Sequence, residues 1–136
     1  MRRQTGEGMS VDLTPKEALD LWRRVVVAGV QRASPDLSAR QLALVLTVYM
    51  TPAPHTVRGL AALLKISKPA VTRALDRLGK FGVVRRKVDE NDRRSILVQR
   101  TVKGSVFLRE LADLVAETSR AVRENRAEGG GTSPAP

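Results

Sequence analysis

Ser34-Pro35 and Pro52-Ala53-Pro54 bracket one helical pattern, and beyond them a second break comes without any proline. After Leu60, Ala61 and Leu64, the residues Lys65-Ile66 interrupt the helical period. Ser67 then restarts it with Pro69 in the first turn. A serine cap accepts an orphan N–H, and a first-turn proline loses no hydrogen bond. Two helices separated by so few residues must cross at a steep angle. This sharp junction constrains the fold more than any other feature.

The elements around the junction complete a recognisable order. Thr14-Pro15-Lys16-Glu17 reads as a capping box, and a helix follows with Ala18, Leu19, Trp22, Val25, Val26 and Gly29 at helical spacing. The run Val25 to Val27 is β-branched, yet no turn separates it from that pattern, so helix is favoured over strand. Ser34-Pro35-Asp36 closes this helix. A second helix spans about Ser38 to Met50, with Leu42, Val45, Leu46 and Tyr49 on one face. A short extended piece follows around His55. The third helix covers about Val57 to Leu64. The fourth starts at the Ser67 cap, buries Val71, Leu75 and Leu78, and ends at Gly82.

Val83 to Asp89 and Ser95 to Arg100 alternate as strands around the charged turn Asp89-Glu90-Asn91-Asp92-Arg93-Arg94. Thr101 caps a last helix to about Arg126. Its apolar positions are Phe107, Leu108, Leu111, Leu114, Val115, Thr118 and Val122. The order is a winged helix-turn-helix. The fold expected is mainly α with a small β-hairpin wing, flanked by N- and C-terminal dimerisation helices. Residues 1–12 are expected to be flexible, 13–128 to form the folded part with a binding core at about 38–104, and 129–136 (Gly, Ser, Pro, Ala) to be a disordered tail.

Charge narrows the partner. The chain of 136 residues has 24 Lys and Arg against 14 Asp and Glu, a net charge of +10. From Lys65 to Arg94 there are 10 basic and four acidic residues, a net +6 within 30 positions. The remaining 106 positions carry only +4. A basic surface attracts phosphate. By itself it fits a solvated surface or an anionic membrane equally well. Concentrated on this supersecondary unit, it favours double-stranded DNA.

With Val71, Leu75 and Leu78 inward, the opposite face of the fourth helix presents Lys68, Pro69, Thr72, Arg73, Asp76, Arg77 and Lys80. Ser67, Lys68, Pro69, Thr72 and Arg73 lie toward the N-terminal end, which reads base edges in helix-turn-helix proteins. An arginine such as Arg73 pairs bidentately with guanine, and Thr72 or Pro69 suits a thymine methyl. Arg77 and Lys80 lie further along and suit phosphate. In the wing, Asp92 is spaced to pair with Arg94, and Arg93 or Arg94 is the candidate for a minor groove. Taken singly, each set is an ordinary solvated helix face or polar hairpin. Taken together, they favour DNA.

The chain resembles the MarR family (multiple antibiotic resistance regulators) in Ser67-Lys68-Pro69-Ala70-Val71-Thr72-Arg73-Ala74-Leu75-Asp76-Arg77-Leu78, in Gly82-Val83-Val84-Arg85-Arg86, in Asp89 through Arg94, and in Thr101-Val102-Lys103-Gly104. The resemblance covers about residues 38–115. It implies a homodimeric transcription regulator, usually a repressor, on a pseudo-palindromic site. It places the recognition contacts on Ser67, Lys68, Pro69, Thr72 and Arg73, and the wing ion pair and minor-groove arginine on Asp92, Arg93 and Arg94. Two departures stand out. Val102 occupies a turn where the family often has Leu-Thr one step earlier. Little sequence follows Arg126, whereas the family closes its dimer with two C-terminal helices, so the first and last helices here must make the interface.

The resemblance also implies a small aromatic effector near Trp22 and Tyr49. A core role suits both better, because the chain has only four aromatic residues. No metal site is expected: His55 is the only histidine and there are no cysteines. No nucleophile triad, phosphate-binding glycine loop or carboxylate pair suggests an enzyme or a cofactor. No apolar run is long enough to span a bilayer, and the N-terminus lacks a signal-peptide core, so a soluble cytoplasmic protein is expected. Two other readings remain at this level: a winged helix that binds an acidic protein partner, and a nonspecific architectural DNA binder.

Overall fold

The computed structural model describes residues 12–32 and 35–128. Its elements run α1 (Pro15–Gln31), α2 (Ala39–Met50), β1 (His55–Thr56), α3 (Val57–Leu64), α4 (Lys68–Lys80), β2 (Val84–Asp89), β3 (Asp92–Arg100) and α5 (Val102–Glu128). The three strands form one antiparallel sheet in the order β1-β3-β2. Residues 32–112 make one compact unit, and α1 together with the residues of α5 from Asp113 onward makes another. Residues 1–11, 33, 34 and 129–136 lie outside the described residues, as do the expectations of a flexible N-terminus and a disordered tail.

Side-chain caps start the helices where the sequence places them. Thr14 and Glu17 exchange side-chain and backbone bonds of 3.1 and 2.8 Å at the start of α1. Ser38 and Gln41 do the same for α2. Ser67 Oγ accepts the Ala70 N–H at 3.2 Å, and Thr101 Oγ1 accepts the Gly104 N–H at 2.9 Å. The run Val25 to Val27 is helical. Helix α1 stops at Gln31, short of the proline signal.

Helix α2 corrects the expected face. Leu44, Val45 and Val48 are its buried residues, while Leu42, Leu46 and Tyr49 are only partly buried. The segment is apolar nearly all round, so periodicity cannot select its inward side. The core of the larger unit joins these residues to Leu60, Val71, Leu75, Leu78, Val83, Val84 and Val98. Burying each such side chain contributes about 1.5–3 kcal/mol. Val71, Leu75 and Leu78 are the inward stripe read from sequence, joined by Ala70 and Ala74.

Two helices end in the same left-handed turn. At the end of α4, Gly82 takes φ +75°, and the Val83 N–H bonds to the Leu78 carbonyl at 3.1 Å. At the end of α3, Lys65 takes φ 57°, and the Ile66 N–H bonds to the Ala61 carbonyl at 3.1 Å. Glycine enters this region freely, whereas for an L-residue with a Cβ it costs about 1–2 kcal/mol.

The wing also differs from expectation. Strand β3 starts at Asp92, so Asp92, Arg93 and Arg94 belong to a strand, and only Glu90-Asn91 form the turn. The ladder pairs Val88 with Ile96 but Asp89 with Asp92. Arg93, Arg94 and Ser95 therefore fall in a register slip, where the chain is free of the regular pleat. The extended piece at His55 is β1, paired with Val98 of β3. His55 is thus a strand residue, as the expected extended piece requires.

Candidate nucleic-acid interface

Helix α4 separates its faces cleanly. All seven residues assigned to its outer face (Lys68, Pro69, Thr72, Arg73, Asp76, Arg77 and Lys80) are exposed. Ser67 is exposed as well, although its hydroxyl already caps the helix. Thr56 has the same role at the start of α3, with Oγ1 accepting the Gly59 N–H at 2.9 Å.

Arg73 lines an open groove of about 660 Å³ with Ser38, Arg40, Gln41 and Ile66. Sequence reasoning missed Arg40, which lies in the first turn of α2 rather than in the dense basic segment. Arg77 lies over the Phe81 ring, 5.1 Å from its centroid, a cation–π contact that holds its stem against the end of α4.

Asp76 is not a partner of Lys80, as four-residue spacing suggests. Its Oδ1 accepts from Arg86 of β2 at 2.6 Å. This pair joins the outer face of α4 to the base of the wing, and both side chains are substantially exposed. Arg85, Arg86 and Lys80 line a second open groove of about 590 Å³ with Asp76. The run Arg85-Arg86-Lys87 was legible in the sequence, but its place in this surface depends on how β2 packs on α4.

The wing pair is present but loose. Arg94 Nε stands 3.8 Å from Asp92 Oδ1, with the Arg94 side chain 91% exposed. Asp92 is better used locally, accepting the Arg94 N–H at 3.2 Å and the Ser95 hydroxyl at 3.2 Å. An ion pair so exposed contributes little and leaves the guanidinium free to move. Arg93 is exposed beside it.

The two aromatic candidates have different environments. Tyr49 belongs to the larger unit. Its hydroxyl donates to the Val83 carbonyl at 2.7 Å and accepts the Thr101 N–H at 2.9 Å. Thr101 in turn donates from Oγ1 to the Gly82 carbonyl at 2.7 Å. Arg100 lies over the Tyr49 ring and donates to the Val48 and Thr51 carbonyls at the end of α2. The cation satisfies orphan acceptors and suits the negative end of the helix. Tyr49 is a structural hub, as a core role requires. Trp22 is not a core residue, because it is 51% exposed on α1. Its neighbours on the same face, Leu19, Val26 and Val30, are exposed too. No group of His, Asp or Glu suited to a metal ion occurs among the described residues. No described helix is long and apolar enough to cross a membrane.

Residues 37–96 match the model of the MarR family. Over that segment the sequence is similar to the MarR family. Solved structures agree on the fold. A mutant of MepR from S. aureus superposes with a TM-score of 0.67 at 17% identity, over 84% of this chain and 85% of that one. A MepR–DNA complex from the same organism gives 0.62 at 17% identity, over 82% and 86%. Apo wild-type MarR from E. coli gives 0.59 at 24% identity, over 84% and 87%. No curated protein sequence matches the chain.

Proposed function

We propose that the chain is a sequence-specific, DNA-binding transcription regulator of the cytoplasm, a homodimeric repressor on a pseudo-palindromic operator. The observation that carries this reading is the outer face of α4, where Lys68, Pro69, Thr72 and Arg73 stand exposed over a fully buried stripe. Such a helix enters a major groove with its N-terminal half at the bases. Ser67, Lys68, Pro69, Thr72 and Arg73 are assigned to base edges and nearby phosphates. Arg77 and Lys80 are assigned to phosphate, and Arg93 or Arg94, oriented by Asp92, to the minor groove. The MepR–DNA complex supports DNA as the ligand of this fold. Repression rests on the resemblance in sequence.

The homodimer is supported by α1. Leu19, Trp22, Val26 and Val30 recur at helical spacing and are 69, 51, 44 and 65% exposed. An apolar stripe of this kind is usually covered by a partner, and a two-fold dimer matches a palindromic site. Sedimentation should give a dimer mass at micromolar concentration, and a monomer there would remove the homodimer from the proposal.

The test of DNA reading is selection of bound genomic fragments, followed by comparison of the selected site with scrambled DNA at fixed salt. Arg73→Ala should cost about 1–3 kcal/mol on the selected site and relax one base preference per half-site. Arg94→Ala or Arg93→Ala should weaken binding most where the flanks are A/T-rich. Equal losses on both DNAs with Arg73→Ala would make that contact a phosphate contact. If none of these three substitutions changes binding, the DNA reading fails and a protein partner for this surface becomes the better account.

A further inference from the structure

The two left-handed turns pose an unequal choice. The turn that ends α4 uses Gly82, the residue this backbone favours. The turn that ends α3 uses Lys65, the one non-glycine residue with positive φ among the described residues. The geometry there is not optional. Lys65 must be left-handed for the Ile66 N–H to reach the Ala61 carbonyl, and Ile66 packs against the core. The turn also delivers Ser67 to its capping position on α4.

Lys65 gains nothing from its side chain inside the molecule. It is exposed, and it has no ion pair among the described residues. Strain kept at an exposed position, with no internal contact to offset it, points outward to function. The position is specific: two residues before the cap of α4, and three before Lys68. A lysine offers a strongly hydrated point charge on a long flexible stem, which suits a phosphate better than a base edge.

We propose that Lys65 is a DNA-backbone contact, its ammonium held against a phosphate that flanks the major groove entered by α4. The inference rests on the DNA-binding reading above and adds to it a residue that gives up folding stability for binding. The helix-turn-helix junction thereby grips the backbone just before the base-reading residues, fixing how deep α4 sits.

The experiment sets folding and binding against each other in one substitution. Lys65→Gly relieves the backbone and removes the charge. It should raise Tm while weakening binding equally to the selected site and to scrambled DNA. The slope of log K against log salt should shrink by about 0.9 for each bound copy, which corresponds to about an eightfold loss per copy at 0.1 M salt if the affinities converge at 1 M. Lys65→Arg should keep both the affinity and the slope. An unchanged slope and affinity in Lys65→Gly would overturn the proposal, as would a loss confined to the selected site, which marks a base contact. A lowered Tm would also overturn it, because the side chain would then be supporting the fold. Arg73→Ala run in parallel separates the two readings. If it alters binding and Lys65→Gly does not, only the Lys65 assignment falls. If the wild-type chain retains no DNA, the DNA reading itself falls, and Lys65 with it.

Discussion

Replacing Tyr49 by Phe removes one oxygen and leaves the ring, so its effect isolates the hydroxyl. That oxygen serves two backbone groups far apart in sequence, the Val83 carbonyl at 2.7 Å and the Thr101 amide at 2.9 Å. Val83 is 2% exposed, so its carbonyl has little access to replacement water. A buried polar group left without its partner costs about 1–3 kcal/mol. Both sites are only part-buried as hydrogen bonds, which puts each toward the low end. The expected total is therefore about 2–3 kcal/mol, a large share of the roughly 5–15 kcal/mol that holds a domain together. The Phe ring still fills the site and still faces Arg100, so packing changes little. Thermal and urea unfolding at one fixed protein concentration should both report the loss, since the proposed dimerisation would make Tm depend on concentration. Each kcal/mol corresponds to roughly 3–5 °C in a chain of this size. A change below about 0.5 kcal/mol would refute the assignment of Tyr49 as a hub. The hydroxyl would then be free for a ligand, as an effector site requires.

Gly104→Ala should do more damage than Tyr49→Phe. A Cβ there would overlap the Tyr49 hydroxyl and the Val83 carbonyl, so the α2 side chain or the strand entry must move. Reduced soluble yield and loss of cooperative melting are the expected readouts; a normal melt would show that the α5 start can shift freely. In the smaller unit, Arg126 Nε donates to Glu17 Oε2 at 2.6 Å, and Arg126 also donates to the Asp12 carbonyl. The Arg126 hydrogen bond, aided by the Thr14 N–H, holds the Glu17 carboxyl at about 2, down from 4.5. A lowered folded-state pKa gives stability that is present above about 4.5 and is lost as pH falls toward 2. Glu17→Gln should therefore melt lower than wild type at pH 7, and the gap should close through that acid window. A gap independent of pH would contradict the ionic origin. Asp76→Asn should weaken the hold on Arg86 and make DNA binding less sensitive to Arg94→Ala, which a double-mutant cycle measures. Additive effects would show that the α4–β2 pair does not position the wing.

The helix starts and the outward face of α4 were legible in the chain alone. Thr14, Ser38, Ser67 and Thr101 each bond within three or four residues, so the signal and the structure share one window of chain. In α4 the stripe Val71, Leu75 and Leu78 alternates with charged residues sharply enough to leave one possible orientation. Elsewhere local pattern was not enough. Helix α2 is apolar on most sides, and only packing against α4 and β3 chose Leu44, Val45 and Val48 as the buried set. The unpartnered face of α1 left Trp22 exposed, where composition favoured burying it. Tyr49 meets Val83 and Thr101 across 34 and 52 residues, Arg100 caps α2 across 52, and Asp76 meets Arg86 across 10. The register slip that frees Arg93 and Arg94 exists only once β2 and β3 are paired. Short-range hydrogen bonds and periodicity are written along the chain. Contacts between elements depend on how whole faces pack, and single-residue spacing does not encode that.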